Sequence, residues 1–193
     1  MYDIVVIGAS QGGLRAIQAL LGGLPPDFPL PVAVVLHRGK DSGEGPATNL
    51  QQHTPLRVEE PDDKQVIEPG RIYLAPANYH LLVEHGHFAL SVDAPDEYAR
   101  PSVNLLFESA ADAYRERVIG VILTGTNQDG AQGLAAIGRR GGLAVVQDPA
   151  TAEAAGMPRA ALAAADHATV LPLEEIGPFL AERVGQASGD RRQ

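Results

Sequence analysis

The sequence predicts a doubly wound α/β fold, in which a mostly parallel sheet is covered by helices on both faces. Short, continuously apolar runs alternate along the chain with segments of helical spacing. Strands that are apolar on both faces are typical of parallel sheets, because helices cover both sides. Residues 79–92 depart from this alternation. They form two short strand-like runs around His85-Gly86, which predicts a β-hairpin inserted into the fold.

A glycine-rich turn follows the first apolar strand. Residues 4–7 are continuously apolar, residues 8–13 are GASQGG, and helical spacing begins at Leu14. A strand-turn-helix unit presents a side chain or backbone N–H groups at the carboxyl edge of a parallel sheet, where such folds bind ligands. The side chain at this turn is Ser10, within a match to G-x-S-x-G, whose glycines relieve crowding around a sharply turned serine.

Taken alone, the turn is compatible with a nucleophilic Ser10, with a phosphate or dinucleotide site, and with a tight connection that has no chemistry. Its sequence resembles the opening of short-chain reductases, and Arg38 after the second strand would suit a 2′-phosphate. Those enzymes need a Tyr-x-x-x-Lys pair, and no tyrosine of this chain has a lysine four residues later. Hydride transfer is therefore a minor alternative, and no cofactor is predicted.

The remaining apolar and polar patterns predict the other elements. Further strands are expected at 32–36, 56–58, 71–75, 118–123, 143–147 and 168–171, and helices at 46–53, 102–117, 131–140, after 149, and at 173–184. Ser102 is a plausible N-cap for the long helix that follows it. Without an internal repeat or linker, residues 1–185 are predicted to form one domain, and the patternless residues 186–193 a disordered tail.

Composition narrows the class of protein. The absence of cysteine excludes thiolate zinc sites and cysteine nucleophiles. The net charge of −9 disfavours non-specific binding to nucleic acid or to anionic membranes. The chain has no signal peptide and no apolar run near the roughly 20 residues of a membrane span, so a cytoplasmic protein without membrane insertion is expected. The hairpin histidines His80, His85 and His87 have no acidic residue at clear ligand spacing, and no metal site is predicted.

Ser10, His37 and Asp129 each come after an apolar strand. Because the carboxyl ends of parallel strands meet at one edge of the sheet, these side chains are expected to lie together. They are the components of a nucleophilic triad: histidine accepts the serine proton, and the carboxylate orients and stabilises the imidazole. Considered separately, His37 is compatible with an ordinary, partly exposed histidine, and Asp129 with an N-cap of the helix that follows it.

Several segments of the chain resemble those of a known protein family and come in the order that they have in that family. The chain resembles the catalytic domain of the CheB-type chemotaxis protein-glutamate methylesterases over nearly its whole length. The matching segments are IGASQGG (7–13), VVLHRG (34–39), IEPGRIYLAPANYHLLV (67–83), RPSVNLLFESAA (100–111), GVILTGTNQDGAQGL (120–134) and VVQDPATAEAAGMPRAAL (145–162). The fold of that family is a doubly wound α/β domain, as expected from the patterns above.

The resemblance implies a reaction and a set of site residues. Ser10 would be the nucleophile, His37 the general base and Asp129 the orienting carboxylate. The implied reaction is hydrolysis of glutamate methyl esters on methyl-accepting chemoreceptors with release of methanol, and the family also deamidates receptor glutamines. Candidate oxyanion donors are backbone N–H groups near Gln11 and in residues 124–126.

The chain departs from the family pattern near these residues. Gln11 stands where the family commonly has threonine, and the family's T-G-M-G is Thr124-Gly125-Thr126-Asn127 here. The family's His-Met-Pro is His37-Arg38-Gly39. The chain starts at the first catalytic strand, so the usual N-terminal receiver domain is not expected, and the enzyme would be constitutively active or regulated by a separate protein.

Two alternatives belong to other functional classes. A non-catalytic domain with the same fold would dock to a receptor or a methyltransferase, although a pure binding module has no physical need for serine, histidine and aspartate at one edge. A general small-ester hydrolase would use the same side chains. Substrate choice between the esters is expected to lie in surface loops such as residues 40–45 and 93–100.

Overall fold

The computed structural model describes residues 1–38, 45–96 and 98–189 of the chain. The strands within these residues are β1 (Ile4–Ala9), β2 (Val32–Leu36), β3 (Arg57–Glu59), β4 (Arg71–Leu74), β5 (His80–Glu84), β6 (His87–Ser91), β7 (Val118–Ile122), β8 (Leu143–Gln147) and β9 (Thr169–Leu171). A seven-stranded sheet has the order β3-β4-β2-β1-β7-β8-β9. All its neighbouring strands are parallel, whereas β5 and β6 form a separate antiparallel hairpin.

The helices cover both faces of the sheet. They are α1 (Gly13–Gly22), α2 (Gly45–Gln51), α3 (Val103–Tyr114), α4 (Ala131–Arg139), α5 (Gly156–Ala164) and α6 (Leu173–Gly189). One apolar core joins α3, α4, α5 and the hairpin to one face, and a second core joins α1, α2 and α6 to the other. Among the described residues, no helix is both long enough and apolar enough to cross a membrane.

Strand β1 lies at the centre, where the order of the strands reverses. The sheet extends through β2, β4 and β3 on one side and through β7, β8 and β9 on the other. Ala9 pairs with Leu36 of β2, and Gly8 pairs with Ile122 of β7, so these three strands end close together. The reversal leaves a crevice at the carboxyl edge, which is where open α/β sheets bind ligands.

The predicted fold class and the hairpin are confirmed, with differences at the ends of helices. The long helix predicted to reach residue 117 ends at Tyr114 and continues as a 3-10 turn over 115–117. Helix α5 begins only at Gly156, because Asp148 organises a turn in which its backbone oxygen accepts the N–H of Thr151 at 2.9 Å. Helix α6 continues to Gly189, into the segment predicted as a tail. The rest of that segment, residues 190–193, lies outside the described residues, as do residues 40–44 of the predicted specificity loop.

Candidate active site

Ser10 stands directly after the end of β1, in the turn that leads into α1. Its backbone N–H donates to the oxygen of Thr124 at 2.9 Å, and its backbone oxygen accepts the N–H of Gly13 at 2.8 Å. Gly12 has a φ of +74°, in the left-handed region that favours glycine. Half-buried Ser10 is thereby fixed at the carboxyl edge between the chain segments that follow β1 and β7.

His37 follows β2, the strand next to β1. Its backbone N–H donates to the oxygen of Ala9 at 3.0 Å, which extends the sheet ladder by one residue and sets His37 beside Ser10 in the sheet edge. Its Nε2 atom lies 2.8 Å from Oδ2 of Asp129, and its side chain is 13 % exposed. Among the described residues, the Ser10 hydroxyl makes no hydrogen bond to His37. The structure therefore joins histidine to aspartate directly and places the serine at the end of the neighbouring strand.

The buried carboxylate of Asp129 accepts hydrogen bonds on both oxygens. Oδ2 accepts from His37 and from the backbone N–H of Val103 at 2.7 Å. Oδ1 accepts from the N–H of Asn104 at 2.8 Å and lies 3.1 Å from the hydroxyl of Ser102, whose single hydrogen also faces Oδ2 of Asp96 at 2.9 Å. Burial by itself would raise the pKa of Asp129, but the hydrogen bonds from His37, Val103 and Asn104 hold it below its ordinary value. The carboxylate is thus ionised, and a neutral His37 carries its proton on Nε2.

The interpretation of Asp129 as the N-cap of the helix that follows it is wrong. That helix, α4, has Gly130 at its N-cap, and the side chain that accepts from its first turn is Asn104, whose Oδ1 takes the N–H of Gly133 at 3.0 Å. Asp129 binds the first N–H groups of α3 instead, where an anion is favoured by unsatisfied donors and by the helix dipole. Ser102 is the N-cap of α3 as predicted, and its hydroxyl also accepts the N–H of Leu105 at 3.3 Å.

Two glycines allow the N-terminus of α3 to reach the edge of the sheet. A Cβ atom on Gly8 would lie 2.2 Å from Cγ1 of Val103, and one on Gly130 would lie 2.5 Å from the same atom. Both distances are far inside van der Waals contact, so the side chain of Val103 occupies the space that these glycines leave. The first glycine of the G-x-S-x-G match therefore supports helix packing as well as the serine turn.

The segment after β7 is held by the segment that connects β8 to α5. Thr124 donates its N–H to Oε1 of buried Gln147 at 2.9 Å, and Gly125 donates to the oxygen of Ala154 at 2.9 Å. These two N–H groups are consequently engaged and do not face the crevice as free donors. Of the expected oxyanion donors, the N–H groups of Gln11 and Thr126 remain, since neither makes a hydrogen bond within the described residues.

The structure also identifies site residues that the sequence analysis did not assign. Asn127 lies with Nδ2 3.1 Å from Nδ1 of His37. Gln147 anchors Thr124, and Ser102 supports Asp129. The position of Gln147, a polar residue at the end of an apolar strand, is a signal that could have found it. Nothing local marks Asn127, because its partner lies 90 residues away in sequence.

The histidines of the hairpin do not converge. His80 is buried, with Nδ1 accepting the N–H of Ser102 at 3.2 Å and Nε2 facing the oxygen of Ala94 at 3.1 Å. His85 packs edge-on against Tyr114, and Nε2 of His87 lies 2.5 Å from Oε2 of Glu84. Each ring therefore has a structural partner of its own.

The protein is therefore a doubly wound α/β protein. Serine, histidine and aspartate, the side chains of a serine hydrolase, lie at the switch point of its carboxyl edge. Residues 5–180 match the family model described as CheB methylesterase. The chain belongs to the CheB methylesterase family. The crystal structure of the Thermotoga maritima CheB methylesterase catalytic domain superimposes with a TM-score of 0.88 at 33% identity, covering 95% of this chain and 99% of that one.

Curated relatives agree with this assignment. A Leptospira interrogans protein, named as a candidate protein-glutamate methylesterase/protein-glutamine glutaminase, is 45% identical over 176 residues, or 91% of each chain. Protein-glutamate methylesterase/protein-glutamine glutaminase 2 of Anaeromyxobacter dehalogenans is 45% identical over 93% of this chain and 53% of its own length. Protein-glutamate methylesterase FrzG of Myxococcus xanthus is 40% identical over 95% of this chain and 55% of its own. The chain thus spans about half the length of the last two proteins.

Proposed function

We propose that this protein hydrolyses glutamate methyl esters on a methyl-accepting receptor, with Ser10 as nucleophile, His37 as general base and Asp129 as the orienting carboxylate. One observation carries the assignment of roles. The imidazole of His37 contacts the buried carboxylate of Asp129 at 2.8 Å, directly beside the strand end that holds Ser10. Family membership and the names of the relatives support the ester substrate.

The contacts of His37 support a proposed path for each proton in the reaction. Nε2 of His37 keeps its hydrogen and donates it in a hydrogen bond to Asp129. Nδ1 therefore accepts the proton of the Ser10 hydroxyl. The Ser10 oxygen then bonds to the ester carbonyl carbon, and the N–H groups of Gln11 and Thr126 are proposed to stabilise the resulting oxyanion. As the tetrahedral intermediate collapses, the ester C–O bond breaks and the leaving oxygen takes the proton from Nδ1, which releases methanol.

Water completes the reaction with His37 in the same roles. Nδ1 accepts a proton from the water, whose oxygen attacks the acyl group on Ser10. The bond to Ser10 breaks, the proton returns to the serine oxygen, and the glutamate side chain is released as a carboxylic acid, which loses its remaining proton to water. A glutamine side chain would follow the same steps with ammonia as the leaving group, which accounts for a glutaminase activity at the same site.

The test is methanol release from membranes that contain a methylated chemoreceptor. We expect the native protein to release methanol. The control variant Ser91→Ala should do the same, because the Ser91 hydroxyl donates a hydrogen bond to Asp93 within the hairpin segment. Ser10→Ala, with a native circular dichroism spectrum, should lose nearly all turnover. Equal turnover by Ser10→Ala would refute the assigned nucleophile. No release by any folded variant would favour a docking domain, and release only from small soluble esters would favour a general esterase.

A further inference from the structure

Nδ1 of His37, the nitrogen proposed to act as the general base, already has a hydrogen-bond partner in the structure. Nδ2 of Asn127 lies 3.1 Å from Nδ1 of His37, while Nε2 on the other side of the ring faces Asp129. With the hydrogen of a neutral ring on Nε2, Nδ1 has a lone pair and no hydrogen. The amide of Asn127 is therefore the donor in this contact, and Nδ1 is the acceptor.

A second contact fixes the orientation of the Asn127 amide. Its Oδ1 atom accepts the backbone N–H of Asp129 at 3.3 Å, an interaction across two residues that is typical of an asparagine turn. Because the oxygen is engaged there, the amino group is turned toward His37. The Asn127 side chain thus bridges the imidazole of His37 and the backbone of Asp129, whose carboxylate contacts the same imidazole.

We infer that Asn127 is a positioning residue that occupies the base nitrogen of His37 in the resting enzyme and must withdraw before Ser10 can donate its proton. This inference rests on the proposed role of His37 as general base. An imidazole nitrogen offers one lone pair, so the Asn127 amide and the Ser10 hydroxyl compete for it. In agreement, the Ser10 hydroxyl makes no hydrogen bond to His37 within the described part of the chain.

The position of Asn127 allows it to leave. Residues 126–128 are exposed, so the side chain can turn outward into solvent without opening the core. Asp129 is the charged group in contact with the ring, and the neighbouring guanidinium of Arg38 pairs with Glu60 and with the oxygen of Ala75. The free-energy cost of breaking this exposed hydrogen bond between neutral groups is small, comparable to the net contribution of one hydrogen bond in a folded protein.

Replacement of the amide tests the competition. Asn127→Ala removes the donor, and we expect kcat for methanol release to rise about two- to tenfold, the equivalent of one net neutral hydrogen bond, with little change in KM. The matched control is Gln132→Ala, which removes an exposed amide from α4 and should leave kcat unchanged. An unchanged or lower kcat in Asn127→Ala would overturn the inference, because the amide would then be neutral or would assist the base.

An isosteric variant gives a second readout. Asn127→Asp places an acceptor at Nδ1, which favours the protonated ring. The acidic limb of its kcat/KM profile should move to higher pH, with activity at neutral pH reduced more than about tenfold and recovered in alkaline buffer. A profile that coincides with that of the native protein would contradict a contact between residue 127 and the base.

A spectroscopic measurement separates this inference from the proposed function. The 15N resonance of His37 Nδ1, recorded on the full chain at alkaline pH, should move in Asn127→Ala and in the inactive double variant Ser10→Ala/Asn127→Ala, each relative to its parent. Unmoved resonances would refute the contact whatever the activity. If instead the resonances move but Ser10→Ala still releases methanol, the assignment of the nucleophile fails while the contact stands.

Discussion

The carboxylate of Asp129 accepts the backbone N–H of Val103 at 2.7 Å, and so joins the segment after β7 to the start of a helix 26 residues earlier in the chain. The same carboxylate oxygen faces His37. The helix terminus thereby serves the candidate site through Asp129, since its N–H groups stabilise the ionised form that orients the imidazole. The side chain of Asp129 therefore contributes both to the stability of the fold and to the proposed chemistry, and the two contributions can be measured separately.

Replacement of Asp129 by asparagine should impair both activity and stability. Whichever oxygen becomes an amino group would face a backbone N–H donor, because Oδ2 accepts from Val103 and Oδ1 accepts from Asn104. We expect kcat to fall by about two to four orders of magnitude, as the imidazole loses its orientation. The free energy of unfolding should fall by about 1–3 kcal/mol through unsatisfied donors. Steady-state kinetics and urea denaturation measure the two effects, and a native kcat would contradict the role of Asp129.

Acid should destabilise the protein through the same residue. The folded-state pKa of Asp129 is lowered from its ordinary value of 3.8, so the unfolded chain takes up the proton first as the pH falls. Its contribution to stability is complete well above pH 3.8 and is lost as the pH falls through the folded-state pKa. Urea denaturation between pH 7 and pH 3 should show a steeper loss for the native protein than for Asp129→Asn. Parallel curves would refute this linkage.

The packing of Val103 predicts a specific energetic coupling. Gly8→Ala introduces a methyl group into space that Val103 occupies, and it should destabilise the fold by about 1–3 kcal/mol. The double variant Gly8→Ala/Val103→Ala should lose less than the sum of the two single variants, because the clashing atoms are gone. A control in α4, Gly138→Ala, meets no atom within 4 Å and should be as stable as the native protein or more so. Strict additivity would contradict the contact.

Gln147 should matter for activity although it lies away from the reacting groups. Gln147→Leu keeps the approximate volume but removes the acceptor for Thr124 and the donor to the oxygen of Thr151. We expect a loss of about 1–3 kcal/mol in the free energy of unfolding, because the N–H of Thr124 becomes unsatisfied. The kcat should fall as the segment carrying Thr126 loses its anchor, whereas Gln132→Leu, at an exposed position of α4, should not affect it. Native kcat with reduced stability would limit Gln147 to a structural role.

The parallel sheet was predictable because its strands are short apolar runs, and burial on both faces leaves few other ways to fold them. The turn around Ser10 and the position of His37 directly after β2 could also be predicted, since a strand end is visible in the local pattern. The start of α5 could not be predicted accurately. An alanine-rich stretch favours helix throughout, but the turn at Asp148 and the contacts of Met157 with Gly125 delay the helix to Gly156.

The residue types that reach the carboxyl edge follow from the order of apolar and polar residues along the chain. Ser10, His37 and Asp129 each follow an apolar strand, and parallel pairing brings such ends together. What each of these side chains contacts depends on the packing of the folded chain. The partners of Asp129 on α3 and the contact between Asn127 and His37 depend on segments far apart in sequence. Local propensity and periodicity act over a few residues, whereas these hydrogen bonds join segments 25 to 90 residues apart and depend on how the strand ends and α3 pack together.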